Sequence, residues 1–223
     1  MDLSPVILTL KLAAITTVLL LLIGLPVAWW LSKSKSILKL IIEAIITMPL
    51  VLPPSVLGFY LLLAFSPQHG IGKWLRDVFD VQLVFSFPGL ILASVIYSLP
   101  FMIGPIKSAL QQLPPSLAQA SYTLGKSERQ TFMHVLLPNI RASVLTAATL
   151  TFVHTLGEFG VVLMIGGNIP GVTRVASIAV YDAVENQDYS SANAYSLILF
   201  GITFITVISV FVFNKYKAKS PLE

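Results

Sequence analysis

The 223-residue sequence contains no cysteine, which excludes disulfides and every thiolate-based metal or redox centre. Charge is scarce as well. Asp, Glu, Lys and Arg make up 11% of the chain, against roughly 25% in an ordinary soluble domain. The three histidines, His69, His134 and His154, lie far apart without metal-ligand spacing, and each reads as a packed or solvated side chain. No Gly-x-x-x-x-Gly-Lys-Ser/Thr run occurs, so the chain has no phosphate loop with which to hydrolyse ATP. The apolar stretches hold no series of acids or histidines, which argues against a self-sufficient proton-coupled transporter. What is abundant is apolar surface: 56% of residues are hydrophobic and the mean hydropathy is +0.85. A globule of this size has no interior for so much, and the bilayer is the expected solvent. The net charge of +4 is small, which favours one-sided membrane loops over nucleic-acid binding.

A transmembrane helix needs about 20 mostly apolar residues. Five windows qualify: 6–31, 40–65, 85–106, 140–159 and 192–213. The first is longer than a signal-peptide core of 7–15 residues and lacks a basic leader and a small-residue cleavage site, so it is read as a span. The charges inside the windows, Lys11, Glu43, Arg141 and Glu158, lie within about two turns of an end, where they can meet water. Prolines are frequent within the windows, as a helix bundle in lipid permits. With five spans, Lys33, Lys35, Lys39, Lys107, Lys126, Arg129, Arg141, Lys215, Lys217 and Lys219 fall on one side. The positive-inside rule then places the N-terminus outside and the C-terminus in the cytoplasm. The expected fold is a single all-α domain over 1–223, a polytopic transmembrane helix bundle.

Residues 159–189 begin as apolar as a span but are broken by Gly166, Gly167, Pro170 and Gly171. They read as a helix end, a turn and a short outer-face or re-entrant helix. In residues 66–83, Trp74, Leu75, Val78 and Phe79 have helical spacing. They fit either a short amphipathic helix at the outer interface or a linker with aromatic anchors. Trp29 and Trp30 fit an aromatic belt.

The longest cytoplasmic segment is 108–139. Pro114 and Pro115 open it, Ser116 is placed to cap a helix, and Leu117, Ala120, Ser121 and Leu124 form a narrow helical face. Gly125 fits the left-handed position past a helix end. A second helical piece, 127–137, is expected to stop at Pro138. This is a helix–turn–helix beneath a bundle, suited to docking on another surface; the plain alternative is a connecting loop.

This stretch resembles the cytoplasmic motif of binding-protein-dependent ABC importer permeases: Glu-Ala-Ala, three residues, Gly, nine residues, Ile, one residue, Leu-Pro. Here the positions are Gln119, Ala120, Ser121, then Gly125, then Val135, Leu137 and Pro138. The spacing matches, while Gln119, Ser121 and Val135 depart from the motif's residues. "LGEFGVVLMIGGNIPGVTR" and "MPLVLPPSVLGFYLLLAF" are similar to segments of molybdate permeases. The resemblance implies a homodimer of ten spans in the bacterial cytoplasmic (inner) membrane, with the path at the dimer interface and no cofactor. Its implied partners are two cytoplasmic ATP-binding subunits gripping the motif, and a periplasmic or lipid-anchored molybdate-binding protein. Sulfate, thiosulfate and tungstate remain alternative cargoes.

A doubly charged oxyanion would be held by arginines or helix N-termini, yet no arginine lies mid-span. Thr47, Ser55, Ser94, Thr149 and Thr151 could line a weak path, or each could simply bond its own helix. Glu158 is read as capping a backbone or pairing with a cation near the outer end, with gating as the other reading. Arg174 could meet the anion, contact the binding protein, or snorkel. An intramembrane enzyme would have to be built from His154 and Glu158, one turn apart. A purely structural scaffold would leave the spaced cytoplasmic motif without a purpose.

Overall fold

The computed structural model describes residues 2–68 and 70–218. His69 and residues 219–223, which include Lys219, lie outside the described part. Among the described residues the chain is helical, with no strand.

Helix α1, Ser4–Lys33, is 30 residues long, about 45 Å at 1.5 Å per residue. Its buried residues Thr9, Ala13, Thr16, Leu20, Gly24, Ala28 and Leu31 recur every three or four positions, so they form one stripe. Lipid is as apolar as leucine, so helices in a bilayer associate by close packing, which small residues permit. That stripe meets α5, Phe87–Gln112. Lys11 sits over the Phe87 ring, and the Gly24 backbone lies close to Met102. The two helices therefore run parallel, as the expected orientation, with both entering from the outer face, requires. Pro100 and Pro105 lie inside α5 without interrupting it.

The window 40–65 is not one straight span. Helix α2, Ile37–Val51, and helix α3, Pro54–Ala64, are bent by 117° at their break. Leu52 is forced extended by the following proline, Pro53 has no N–H to donate, and Pro54 restarts the helix at its first position. Helix α4, Gly70–Phe79, is the short outer amphipathic helix. Trp74 and Phe79 touch edge to face and are exposed together with Ile71 and Val78.

The fourth window is almost wholly one helix. Helix α9, Arg141–Leu156, has 16 residues, about 24 Å, which is short of a 30 Å core. After a break at Gly157, Glu158 and Phe159 the chain resumes as α10, Gly160–Gly166, against α3 and α5. Helix α11, Ala176–Glu185, follows on the outer side and packs on α1 and α12. Ala176 N–H donates to Thr9 Oγ1 at 2.7 Å. Residues 160–185 thus hold a turn and a short helix, as read from the glycines, but they open with a separate helix rather than the end of α9. Helix α12, Tyr189–Ala218, closes the bundle beside α9 and α11. Phe200, Phe204, Ile205 and Phe211 stay exposed on it, as on a lipid-facing helix. By length and composition, three helices can cross a membrane, or five if each bent pair is one span.

The buried core has an inner cluster around Leu20, Leu31, Met102, Ile106, Phe132 and Leu136. An outer cluster surrounds Leu12, Leu90, Val161 and Ile165.

Candidate functional sites: the cytoplasmic hairpin and the cleft between α9 and α10

Helix α6, Pro115–Thr123, starts with proline at its first position. Its N-cap is Pro114, which offers no side-chain cap, so Ser116 does not cap it; a proline already supplies the fixed φ and needs no donor there. Past the C-cap Leu124, Gly125 has φ +76°. Gly125 N–H donates to Tyr122 O at 2.9 Å and Lys126 N–H to Ser121 O at 3.1 Å, the paired bonds of a Schellman end.

Ser127 then forms a capping box with Gln130 and starts α7, Glu128–Thr131. This passes into a wide π turn, Phe132–Leu136, and α8, Leu137–Asn139. Pro138 therefore does not end the second piece. Proline's missing N–H and its ring clash with the preceding turn are accommodated by the wide turn, where Leu137 N–H donates to Phe132 O. The 76° bend into α9 comes later, at Ile140.

The two pieces are pinned together and to the bundle. Ser121 and Thr131 hydroxyls, both buried, are 2.9 Å apart, which gives the departure at Ser121 a structural role. Phe132 stacks on Trp29 at the inner end of α1, with ring centroids 4.4 Å apart. Lys33 Nζ lies 4.5 Å from the Trp29 ring centre and 2.8 Å from Glu128 Oε1. Trp29 is thus more than an interfacial anchor, a role that aromatic composition at a helix end gave no means to see. Of the motif residues, Gln119, Ala120, Gly125 and Pro138 are exposed, Val135 and Leu137 are half-buried, and Ser121 is buried. Tyr122, Leu124 and Met133 add exposed apolar surface.

The second site lies at the break between α9 and α10. A cleft of about 610 Å³ is lined by Pro54, Ser55, Tyr97, His154, Glu158 and Gly160, among others. Here α3 and α10 approach closely. A Cβ on Gly58 would stand 2.7 Å from Met164 Cβ and 3.1 Å from the Val161 backbone. His154 Nδ1 is 2.9 Å from Ser98 Oγ, its ring stacks on Phe101, and Ser98 also meets Thr155. Glu158 is buried, and neither carboxyl oxygen has a partner among the described residues. The expected backbone cap or cation pair is therefore absent: Glu158 follows the outer end of α9, where its backbone carbonyl accepts from Ser177 of α11, but its carboxyl has no partner among the described residues. The Ser94 hydroxyl lies beside it without meeting hydrogen-bond geometry, and it and Thr151 have no partner among the described residues. Thr47 and Thr149 donate back to their own helices, while Ser55 faces the cleft.

Arg174 is far from this cleft in role. Its Nε donates to Asn168 Oδ1 at 2.5 Å, and its guanidinium lies 3.6 Å from Asp182 Oδ2. It holds the 167–175 turn against α11. Among the described residues no group of three or more His, Asp or Glu is placed to hold a metal.

Residues 8–220 match the family described as "Binding-protein-dependent transport system inner membrane component". The chain is 44% identical over 219 residues to the molybdenum transport system permease protein ModB of Azotobacter vinelandii, covering 97% of this chain and 96% of the relative. It is 30% identical to a putative molybdenum transport system permease protein, YvgM, of Bacillus subtilis, covering 93% and 91%. To the sulfate transport system permease protein CysT of Escherichia coli it is 30% identical, covering 84% and 67%. Two solved ABC transporters share the fold. One is involved in the import of the acidic polysaccharide alginate (TM-score 0.77, 14% identity, 99% of this chain and 80% of that one). The other is the MetNI methionine transporter (TM-score 0.73, 19% identity, 95% and 94%). With the pinned cytoplasmic hairpin and the bundle of apolar helices, these matches place the chain in the family of binding-protein-dependent ABC importer permeases, as a multi-pass inner-membrane component.

Proposed function

We propose that the chain is the membrane permease of a molybdate importer. It works as a homodimer with one transmembrane domain per chain, over two cytoplasmic ATP-binding subunits and beneath a periplasmic or lipid-anchored molybdate-binding protein. The observation that carries the reading is the hairpin over Pro115–Thr123 and Glu128–Asn139. It is short, capped at both turns, tied to α1 and outwardly apolar at Tyr122, Leu124 and Met133, which is what a segment must be to sit in a partner's cleft and pass on its movement. The identity to a molybdenum permease supports the cargo.

The cleft at the α9 and α10 break is proposed as part of the passage. It offers hydroxyls and a helix start rather than cations, and conduction needs sites that release what they bind. An isolated buried carboxyl is costly unless something reaches it. Glu158 therefore has its role toward a group that enters the cleft or faces it from the second copy.

The test is growth and uptake. A deletion strain should lose molybdoenzyme activity at trace molybdate and recover it at high external molybdate. Uptake should require an ATPase partner that co-purifies with the permease. A strain that needs a reduced sulfur source while its molybdoenzymes stay normal would assign the cargo as sulfate instead.

A further inference from the structure

Between α2 and α5, in the inner third of the bundle, lies a second cavity of about 250 Å³. Its walls are apolar on the α1 and α5 side, with Leu31, Pro100 and Ile103. Its polar groups are Glu43, Thr47 and Lys107. Lys107 Nζ lies 3.1 Å and Lys39 Nζ 3.7 Å from the same oxygen, Glu43 Oε1. The three side chains are only 17–25% exposed. Two ammonium groups share one carboxylate, so the cluster keeps one formal positive charge in excess. Charge that is largely buried and not fully paired is poorly solvated, and an anion entering the cavity would balance it. The Thr47 hydroxyl is already spent on Glu43 O. Nothing stands within 4 Å of a Cβ built on Gly104 in the cavity wall, so the space is open.

We propose that this cavity is an inner-half binding site for a tetrahedral oxyanion, in which Lys107 on the cavity wall takes up the anion, Lys39 adds its charge from beside the cavity, and Glu43 competes with the anion. The inference rests on the oxyanion-permease reading above. A passing dianion draws the Lys107 ammonium off Glu43, and the carboxylate then reclaims it. The built-in competitor keeps the site weak, as a conducting site must be. The same two lysines would also suit a lipid phosphate, so the test separates the two sources.

The permease with its ATPase is reconstituted into nanodiscs of purely zwitterionic lipid, without the binding protein, and equilibrium retention of labelled molybdate is measured. The parent should show weak, saturable retention. Glu43→Gln should tighten it about tenfold, by removing a like charge within a few ångströms, and should slow uptake in proteoliposomes that contain the binding protein. Lys107→Gln should abolish retention and Lys107→Arg should keep it. Gly104→Leu, which fills the cavity without touching a charge, should abolish it with the complex still assembled. The proposal is overturned if Glu43→Gln and the parent retain molybdate alike, or if retention depends on anionic lipid and Lys107→Gln changes only lipid binding. In either case, continued molybdate uptake by the parent leaves the permease reading intact, whereas parent proteoliposomes that transport sulfate and not molybdate would fail that reading itself.

Discussion

At the scale of single residues, two glycines matter for opposite reasons. Gly125 has φ +76°, and the space that a Cβ would enter there is open. A substitution at this position meets only backbone strain, roughly 1–2 kcal/mol for a residue with a Cβ. Gly125→Val is expected to insert and dimerise normally, to hold the ATPase weakly on co-purification, and to lose uptake, with Gly125→Ala milder. Parent-level ATP hydrolysis and transport by Gly125→Val would remove the hairpin's proposed coupling role. Gly58 has an ordinary helical backbone but no room, with Met164 and Val161 pressed against it. Gly58→Leu should force α3 off α10, at about 1–3 kcal/mol for overpacking, and should appear as a lower melting temperature of the purified permease. The sequence marked Gly125, because a glycine after a helical face is a stop signal. It gave no sign of Gly58, whose constraint comes from a helix about a hundred residues away.

At the scale of elements, the join between α1 and the hairpin has a hierarchy of strengths. The Lys33 and Glu128 side chains are 36% and 64% exposed, and such a pair contributes about 1 kcal/mol or less. The stack of Trp29 on Phe132 adds about 0.5–1.5 kcal/mol beyond the area it buries. Trp29→Ala is therefore expected to reduce binding-protein-stimulated ATP hydrolysis and uptake severalfold, and Lys33→Gln much less. Equal losses from both would mean that the charge, not the ring contact, joins the elements. The position of the turn between the hairpin's two pieces was legible, because Gly125 acts locally; the cap was not, since Ser127 rather than Ser116 forms it. The π turn that carries Pro138 was not, since a proline near a helix start and one at a helix end leave the same mark on a sequence.

At the scale of the whole molecule, the absence of cysteine makes topology directly testable by single introduced thiols. A cysteine at Ser34, past the inner end of α1, should resist an impermeant thiol reagent added outside intact cells. One at Gln68, before α4, should react. Labelling at Ser34 from outside would overturn the orientation with the N-terminus out. Equal labelling before and after lysis at Gln68 is the matching expectation.

The sequence by itself determined the solvent, the class of helix bundle, its orientation and the cytoplasmic hairpin. These follow from hydropathy summed over about 20 residues, from lysine and arginine counts in loops, and from residues whose effect is confined to one turn. Only the tertiary structure decided that the second span is divided, that the fourth is bent by 76° from the hairpin, and that the Glu158 carboxyl lies without a partner among the described residues after α9. Only it revealed that Lys39 and Lys107 share Glu43. The reason is physical. Apolar periodicity reports how greasy a stretch is, not whether its axis continues, and a buried charge is defined by which helices come to surround it.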